Sequence, residues 1–329
     1  MSESLRGRMR YKPFLALLFL SPITAEFLTG SSPPLSIFNP LSLLFLLGLY
    51  GCGANIVREL TKRWGGGWSS ILLLGAAYGV IEEGLAAKSF FDPNWPDLGY
   101  LAVFGRWLGV NWVWSEWLII FHAIVSIAAP IMLVELIFPK QSNERWLSRR
   151  ALALSSAVFA FVVVFMFLFI SNFYPNIIQI TGCLLAVSVF AFLAKRSSAK
   201  YQNKTGFSET RPVKFFLLSA FMVPFFFFFF TGGPYIIHSP PLLMAIGGIA
   251  AFCFWRIYSA WGRLPLKGIQ RFAAAAGFTS LWIGLEPIIE LNKGAKDETG
   301  LVLVGIAYAV FLIALGMRIR KRDSENVSS

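Results

Sequence analysis

Hydrophobic positions along this chain gather into ten long runs separated by short polar stretches: 13-30, 37-56, 69-89, 113-138, 151-171, 176-195, 215-231, 240-258, 270-290 and 300-318. A helix that crosses a bilayer needs about 20 mainly apolar residues. The pattern therefore predicts an all-α polytopic integral membrane helix bundle of about ten transmembrane helices. Three segments follow from it: helices 1-4 with a long connection at 88-112 (residues 1-150), helices 5-6 with a basic loop (151-214), and helices 7-10 with a short tail (215-329).

The polar stretches are not alike. Lys and Arg crowd into alternate loops: 25 of the 29 lie in one set, and only Lys88, Arg106, Lys293 and Lys296 lie in the other. Basic residues mark cytoplasmic loops. With an even number of helices, both termini and the loop 196-214 are expected in the cytoplasm, and 88-112 outside, in a multi-pass protein of the cell membrane. Arg6, Arg8, Arg10 and Lys12 precede an apolar run in the manner of a secretory signal, but Pro22 and Glu26 follow where a small-residue cleavage site would stand. This segment reads as a retained first helix.

Composition agrees. The chain is 56% hydrophobic and 14% charged, against about 25% charged in soluble domains. Its net charge of +12 sits in loops beside apolar spans, which points to anionic lipids at the cytoplasmic face rather than to nucleic acid. Cys52, Cys183 and Cys253 fall inside apolar runs and read as buried thiols. The segment 88-112 carries Trp95, Trp107 and Trp112, with Trp114 and Trp117 just beyond, as an interfacial aromatic belt would. SENVSS at the C-terminus reads as a disordered tail. Pro22-x6-Thr29-Gly30 followed by Ser32-Pro33-Pro34-Leu35 recurs as Pro224-x6-Thr231-Gly232 followed by Ser239-Pro240-Pro241-Leu242, which suggests parallel repeats of helices 1-4 and 7-10, a common transporter device.

Ionisable residues inside apolar spans are costly and mark candidate sites. Those here are Glu26, Glu82, Glu83, Glu116, His122, Glu135, Glu286 and Glu290. The alternating helix directions put all of them except Glu135 in the outer half of the bilayer, with His238 in an outer loop. Glu82 and Glu83 are the sharpest pair. Neighbours on a helix project about 100° apart, so one faces the bundle while the other faces a second helix or the rim, near Lys88. Glu83 lies four residues after Gly79, on a small-residue stripe where helices approach closely. Glu26, Glu116, Glu286 and Glu290 are candidate ion or proton sites. Zinc at a catalytic site takes three protein ligands, and Glu82 or Glu83, His122 and His238 offer a set. Asp92 and Asp97 read as turn formers. No Walker loop, GxGxxG context or CxxC occurs.

Two resemblances follow. SPITAEFLTG (21-30), IVRELTKRWGGGWSSILLL (56-74), KSFFDPNW (88-95) and APIMLVELIFP (129-139) resemble motifs of functionally uncharacterised prokaryotic polytopic membrane proteins, over roughly the first 140 residues. Glu82-Glu83 with His122 on the next helix is similar to the CAAX-processing and bacteriocin-processing intramembrane metalloproteases. Their pattern sets an EExxxR helix before FxxxH and a later His with Asn or Asp. Ala86 and Ala87 lie where the Arg would follow, Leu118 stands at the Phe position, and no HxxxN or HxxxD exists.

Two functions therefore remain open. One is a transporter-like carrier with an intramembrane acidic site, for which no cofactor is evident. The other is a membrane-embedded metal-dependent hydrolase with Glu82, Glu83 and His122 as catalytic residues, which alone implies zinc. Substrate and oligomeric state are not legible.

Overall fold

The computed structural model describes residues 10–198, 210–292 and 297–328. Lys200, Lys204, Lys293, Lys296, Arg6 and Arg8, which enter the charge count above, lie outside them. Ten long helices are present among the described residues. The first, α1, is Tyr11–Pro22 continued by a π-helical turn, Ile23–Phe27. The others are α2 (Pro40–Arg63), α3 (Trp68–Ala86), α4 (Trp112–Ile137), α5 (Arg149–Phe169), α6 (Ile177–Ser198), α7 (Pro212–Gly232), α8 (Pro240–Trp261), α9 (Gly268–Leu291) and α10 (Leu301–Ser328). Nine of them, α2 to α10, are long and apolar enough to cross a membrane. A two-stranded ribbon, β1 (Arg106–Trp107) and β2 (Val110–Asn111), folds the 88-112 segment back before α4.

Helix α4 is the axis of the bundle, with 89% of its apolar window buried, against 17% for α5 and 11% for α6, which face outward. One apolar core, with Trp117, Phe121, Phe226, Phe230 and Trp282, packs on one side of it. A second, with Leu17, Tyr50, Tyr78, Ile131 and Val162, packs on the other. Between α3 and α4 the approach is set by glycine. A Cβ on Gly75 would stand 2.8 Å from Ala123 Cα, and one on Gly79 would stand 3.1 Å from His122 Cβ. Any larger side chain there would push the helices apart, which is how small residues let membrane helices meet.

The end of the bundle holding the 139–148 loop is tied by buried charge. Arg58 is fully buried. It donates to Glu135 at 3.3 Å and to the carbonyls of Ser142 and Glu144 at 2.6 and 2.7 Å, and its guanidinium lies 3.5 Å from the Trp146 ring. Glu135 also meets Lys62 at 3.0 Å and Arg271 at 2.8 Å. These partners explain why α2 continues to Arg63, seven residues past the apolar run.

At the opposite end, Lys88 and Arg106 are consumed by backbone oxygens. Lys88 is buried at a left-handed φ of 67° and donates to the carbonyls of Phe167 and Ser171, the end of α5, at 2.7 and 2.8 Å. Cations at a helix C-terminus satisfy its free carbonyls. Arg106 donates to Phe91 and Ala102 carbonyls at 2.8 and 3.0 Å. Lys88 thus does not draw the Glu82-Glu83 pair toward the rim.

Several local expectations change. Trp107 and Trp112 are exposed as belt residues would be, but Trp114 and Trp117 are buried in the core. Cys52 and Cys183 are buried, whereas Cys253 is exposed on α8. Helix α10 runs through Ser328 where a disordered tail was expected, because no Gly or Pro after Gly316 stops it. Asp92 forms the turn expected of it, accepting from the Asn94 N–H at 2.9 Å. In the two similar segments, Thr29 and Thr231 both donate to carbonyls four residues back, at 2.7 and 2.6 Å. Gly30, however, turns the chain at φ +71°, while Gly232 stays helical with φ −99°.

Candidate functional site

Helices α1 to α4 each contain a π-helical turn: Ile23–Phe27, Leu47–Gly51, Val80–Ala86 and His122–Ala128. Each turn carries one or two of the polar side chains that meet inside the bundle. A π turn widens the helix by one residue and re-aims the side chains that follow, and such turns gather at functional sites. Here they supply Glu26, Tyr50, the Glu82-Glu83 pair and His122.

His122 is the hub. Its Nε2 lies 2.9 Å from Glu83 Oε1, and its Nδ1 lies 3.0 Å from Glu82 Oε2. Ser126 Oγ, one turn on, shares Nδ1 at 2.9 Å. Tyr50 brings its hydroxyl against both Glu82 and Glu26. Glu26 also accepts from Ser32 at 2.5 Å. On the other side, Ser89 donates to Glu83 and itself accepts from Trp114 Nε1 at 3.0 Å. One connected polar chain therefore runs from Ser32 to Trp114 through three carboxylates. Glu82, Glu83 and His122 are all buried.

Two features of this chain matter chemically. A phenol has one proton to donate, yet Tyr50 faces two carboxyl groups; the second bond forms only if a carboxyl group donates it. Among the described residues, no Lys or Arg pairs with Glu26, Glu82 or Glu83. A buried charge without a partner is strongly disfavoured, so the excess negative charge calls for bound protons or a bound cation.

The donor set fits a divalent metal. One ligand atom each from Glu82, Glu83 and His122 lies within 4.8 Å of the others. Glu82 Oε2 is buried and has His122 Nδ1 at 3.0 Å, a nitrogen that Ser126 Oγ also approaches at 2.9 Å. Three protein ligands with an open position is the form of a catalytic zinc site.

The structure thus brings together Glu82, Glu83, His122 and Glu26 as the sequence suggests, and leaves five candidates out, of which Glu135 belongs to the charge cluster around Arg58. His238 is exposed in the turn between α7 and α8, away from the group, so Glu82 takes the place expected of it. Glu116 faces Gly247 and Gly248 of α8 and lines two cavities. Glu286 is buried against Gly305 of α10. Glu290 accepts from the backbone N–H groups of Gly300 and Val302 at 3.1 and 2.6 Å, which makes it a cap for α10. Tyr50, Ser32, Ser89 and Trp114 belong to the chain without having stood out in the sequence. The one signal for Tyr50 was its place among Gly48, Gly51 and Gly53 in an apolar run.

The profile of an uncharacterized membrane protein family matches residues 15–327. The chain belongs to that family. Family membership establishes an integral membrane protein with several apolar helices, seated in a lipid bilayer. A search of curated proteins found no match, and neither did a search of solved structures. All four π turns and every residue of the polar chain lie within the span that defines the family.

Proposed function

We propose that the protein is a transporter-like carrier whose coupling site is formed by Glu26, Glu82, Glu83, His122 and Tyr50. The observation that supports this reading is the charge imbalance: the buried Glu82 and Glu83 and the half-buried Glu26 share one histidine and one tyrosine, with no Lys or Arg partner among the described residues. Such a site takes up and releases protons or a cation, as intramembrane acids of pumps and transporters do. The two large cavities, of about 1290 and 950 Å³, are lined by Glu116 and not by Glu82, Glu83 or His122. Burial of these three side chains suits an ion more than a bulky substrate. In this reading both termini are cytoplasmic, the basic loops face anionic lipids of the plasma membrane, and the site opens toward the outer surface.

Proteoliposomes loaded with a pH-sensitive dye test it. An imposed proton or divalent-cation gradient should collapse faster with wild-type protein than in empty vesicles. The Glu82→Gln, Glu83→Gln double variant should match the empty vesicles while remaining folded. Equal flux through both proteins would remove the site from the transport path.

The metal-dependent hydrolase remains a second reading, favoured by the spacing of Glu82, Glu83 and His122. A metal held there would act as a Lewis acid on water or a carbonyl. One zinc per chain, retained through purification and lost in His122→Gln, together with no flux, would move the conclusion to this reading.

A further inference from the structure

The larger cavity is a groove rather than a closed chamber. Its walls are α6 and α8, and its floor is α3 and α4. Lining residues run along α6 from Asn176 to Ser197. At about 1.5 Å per residue that is about 30 Å, the thickness of a bilayer's hydrocarbon core. The middle of the groove is apolar, with Ala186, Phe190 and Ala251 among its lining. A Cβ on Gly182, which also lines it, would meet nothing within 4 Å.

The two ends differ in charge. Glu116 stands toward the 88-112 end. Arg196, Arg256 and Arg263 line the groove toward the other end as exposed side chains. The start of α3 holds those ends of α6 and α8 on either side of it. Ser70 bonds to the Ala194 carbonyl at 3.0 Å and lies 3.1 Å from Ser197 Oγ, while Gly262 packs against Trp68. Two neutral donors point the same way. Ser259 lines the groove with 8% of its surface exposed and its Oγ has no partner; Trp255 Nε1 is likewise unpartnered. Buried polar groups are normally satisfied, and one that is not awaits a partner.

We propose that this groove is a binding site for one anionic phospholipid of the surrounding bilayer. Its phosphate lies among Arg196, Arg256, Arg263, Trp255 and Ser259, and its acyl chains lie along the apolar middle past Ala186. Arginine clusters with hydroxyl and indole donors suit phosphate oxygens. Glu116 at the far end repels an anion, which fixes the headgroup at the arginine end. The proposal rests on the membrane location of the chain and is independent of the carrier reading.

Purified protein in mixed micelles of equal phosphatidylglycerol and phosphatidylcholine, examined by native mass spectrometry, tests it. Wild-type protein should retain one phosphatidylglycerol at least tenfold over phosphatidylcholine. Arg256→Gln with Arg263→Gln should reduce that preference about tenfold. Ala186→Phe fills the groove about 15 Å from Arg196 along α6 and leaves the arginines in place. It should lower retention of phosphatidylglycerol by a similar factor, and it carries the test if the arginine variant fails to fold. Equal retention of the two lipids by wild type, or phosphatidylglycerol retention unaffected in Ala186→Phe, would overturn the proposal. So would full displacement of the lipid by millimolar glycerol phosphate, since that marks a site for a soluble anion.

Discussion

Gly79 of α3 lies against His122 of α4, so close that a Cβ at position 79 would stand 3.1 Å from the histidine Cβ and 3.2 Å from Ile119 Cα. That approach sets the depth at which the histidine meets Glu83, one turn further along α3. Gly79→Leu should therefore move His122 away from Glu83. Overpacking of this kind destabilises by about 1–3 kcal/mol. Gly75→Leu should do more harm, because its 2.8 Å neighbour is the Ala123 backbone, which cannot rotate away. Thermal unfolding of the two detergent-solubilised variants should rank Gly75→Leu below Gly79→Leu, and both below wild type; the reverse order would contradict the packing account.

Replacing Glu82 or Glu83 by Gln keeps shape and removes charge. Since burying a charge is expensive, these variants should unfold at or slightly above the wild-type temperature while function is lost. Glu83→Gln should have the larger effect, because Glu83 holds Nε2 of His122 in a 2.9 Å hydrogen bond, whereas Ser126 can still serve Nδ1 when Glu82 changes. A double variant that stays fully active in a complementation assay, at unchanged expression, would end the functional reading of the pair.

The charge knot around Arg58 should behave in the opposite sense. Arg58→Ala leaves Glu135 with two of its three cations and strips donors from the Ser142 and Glu144 carbonyls. Breaking a buried pair from one side costs about 3–5 kcal/mol. Expression and melting temperature should both fall, and protease cleavage within 139–148 should rise. A melting temperature within 1 °C of wild type, about the measurement error, would show the knot to be dispensable.

Orientation is open to a direct measurement. Lys140 and Val103 are both exposed, at opposite ends of the bundle. In intact cells, a membrane-impermeant maleimide should label Val103→Cys and spare Lys140→Cys. Labelling of Lys140→Cys instead would invert the assignment of faces.

Removal of Glu290 tests a candidate that the fold reassigns. If this acid caps α10, Glu290→Ala should lower stability by about 1 kcal/mol, as loss of a cap does, and leave ion flux unchanged. A loss of flux at full stability would return Glu290 to the site.

Much of this architecture is written in the order of residues along the chain. Ten apolar runs, each long enough to approach a bilayer's thickness, leave helices as the only spanning structure, because lipid offers no partner for free backbone groups. The rarity of charge within those runs made Glu82, Glu83, His122 and Glu26 visible as candidates, and Gly79 marked the close face beside Glu83. What the order of residues does not carry is lateral position and helix phase. Glu26, Glu286 and Glu290 look equivalent by depth, yet only Glu26 joins the histidine's network, through Tyr50, because α1 packs against α2 and α4 at that level. Four π turns add a residue to helices whose periodicity otherwise reads as regular, and that extra residue rotates Tyr50, Glu82, Glu83 and His122 into one another. The groove between α6 and α8, and the presence of Arg196, Arg256 and Arg263 along it, arise in the same way. They come from which helices stand apart, a choice made by packing across the whole bundle rather than by any single span.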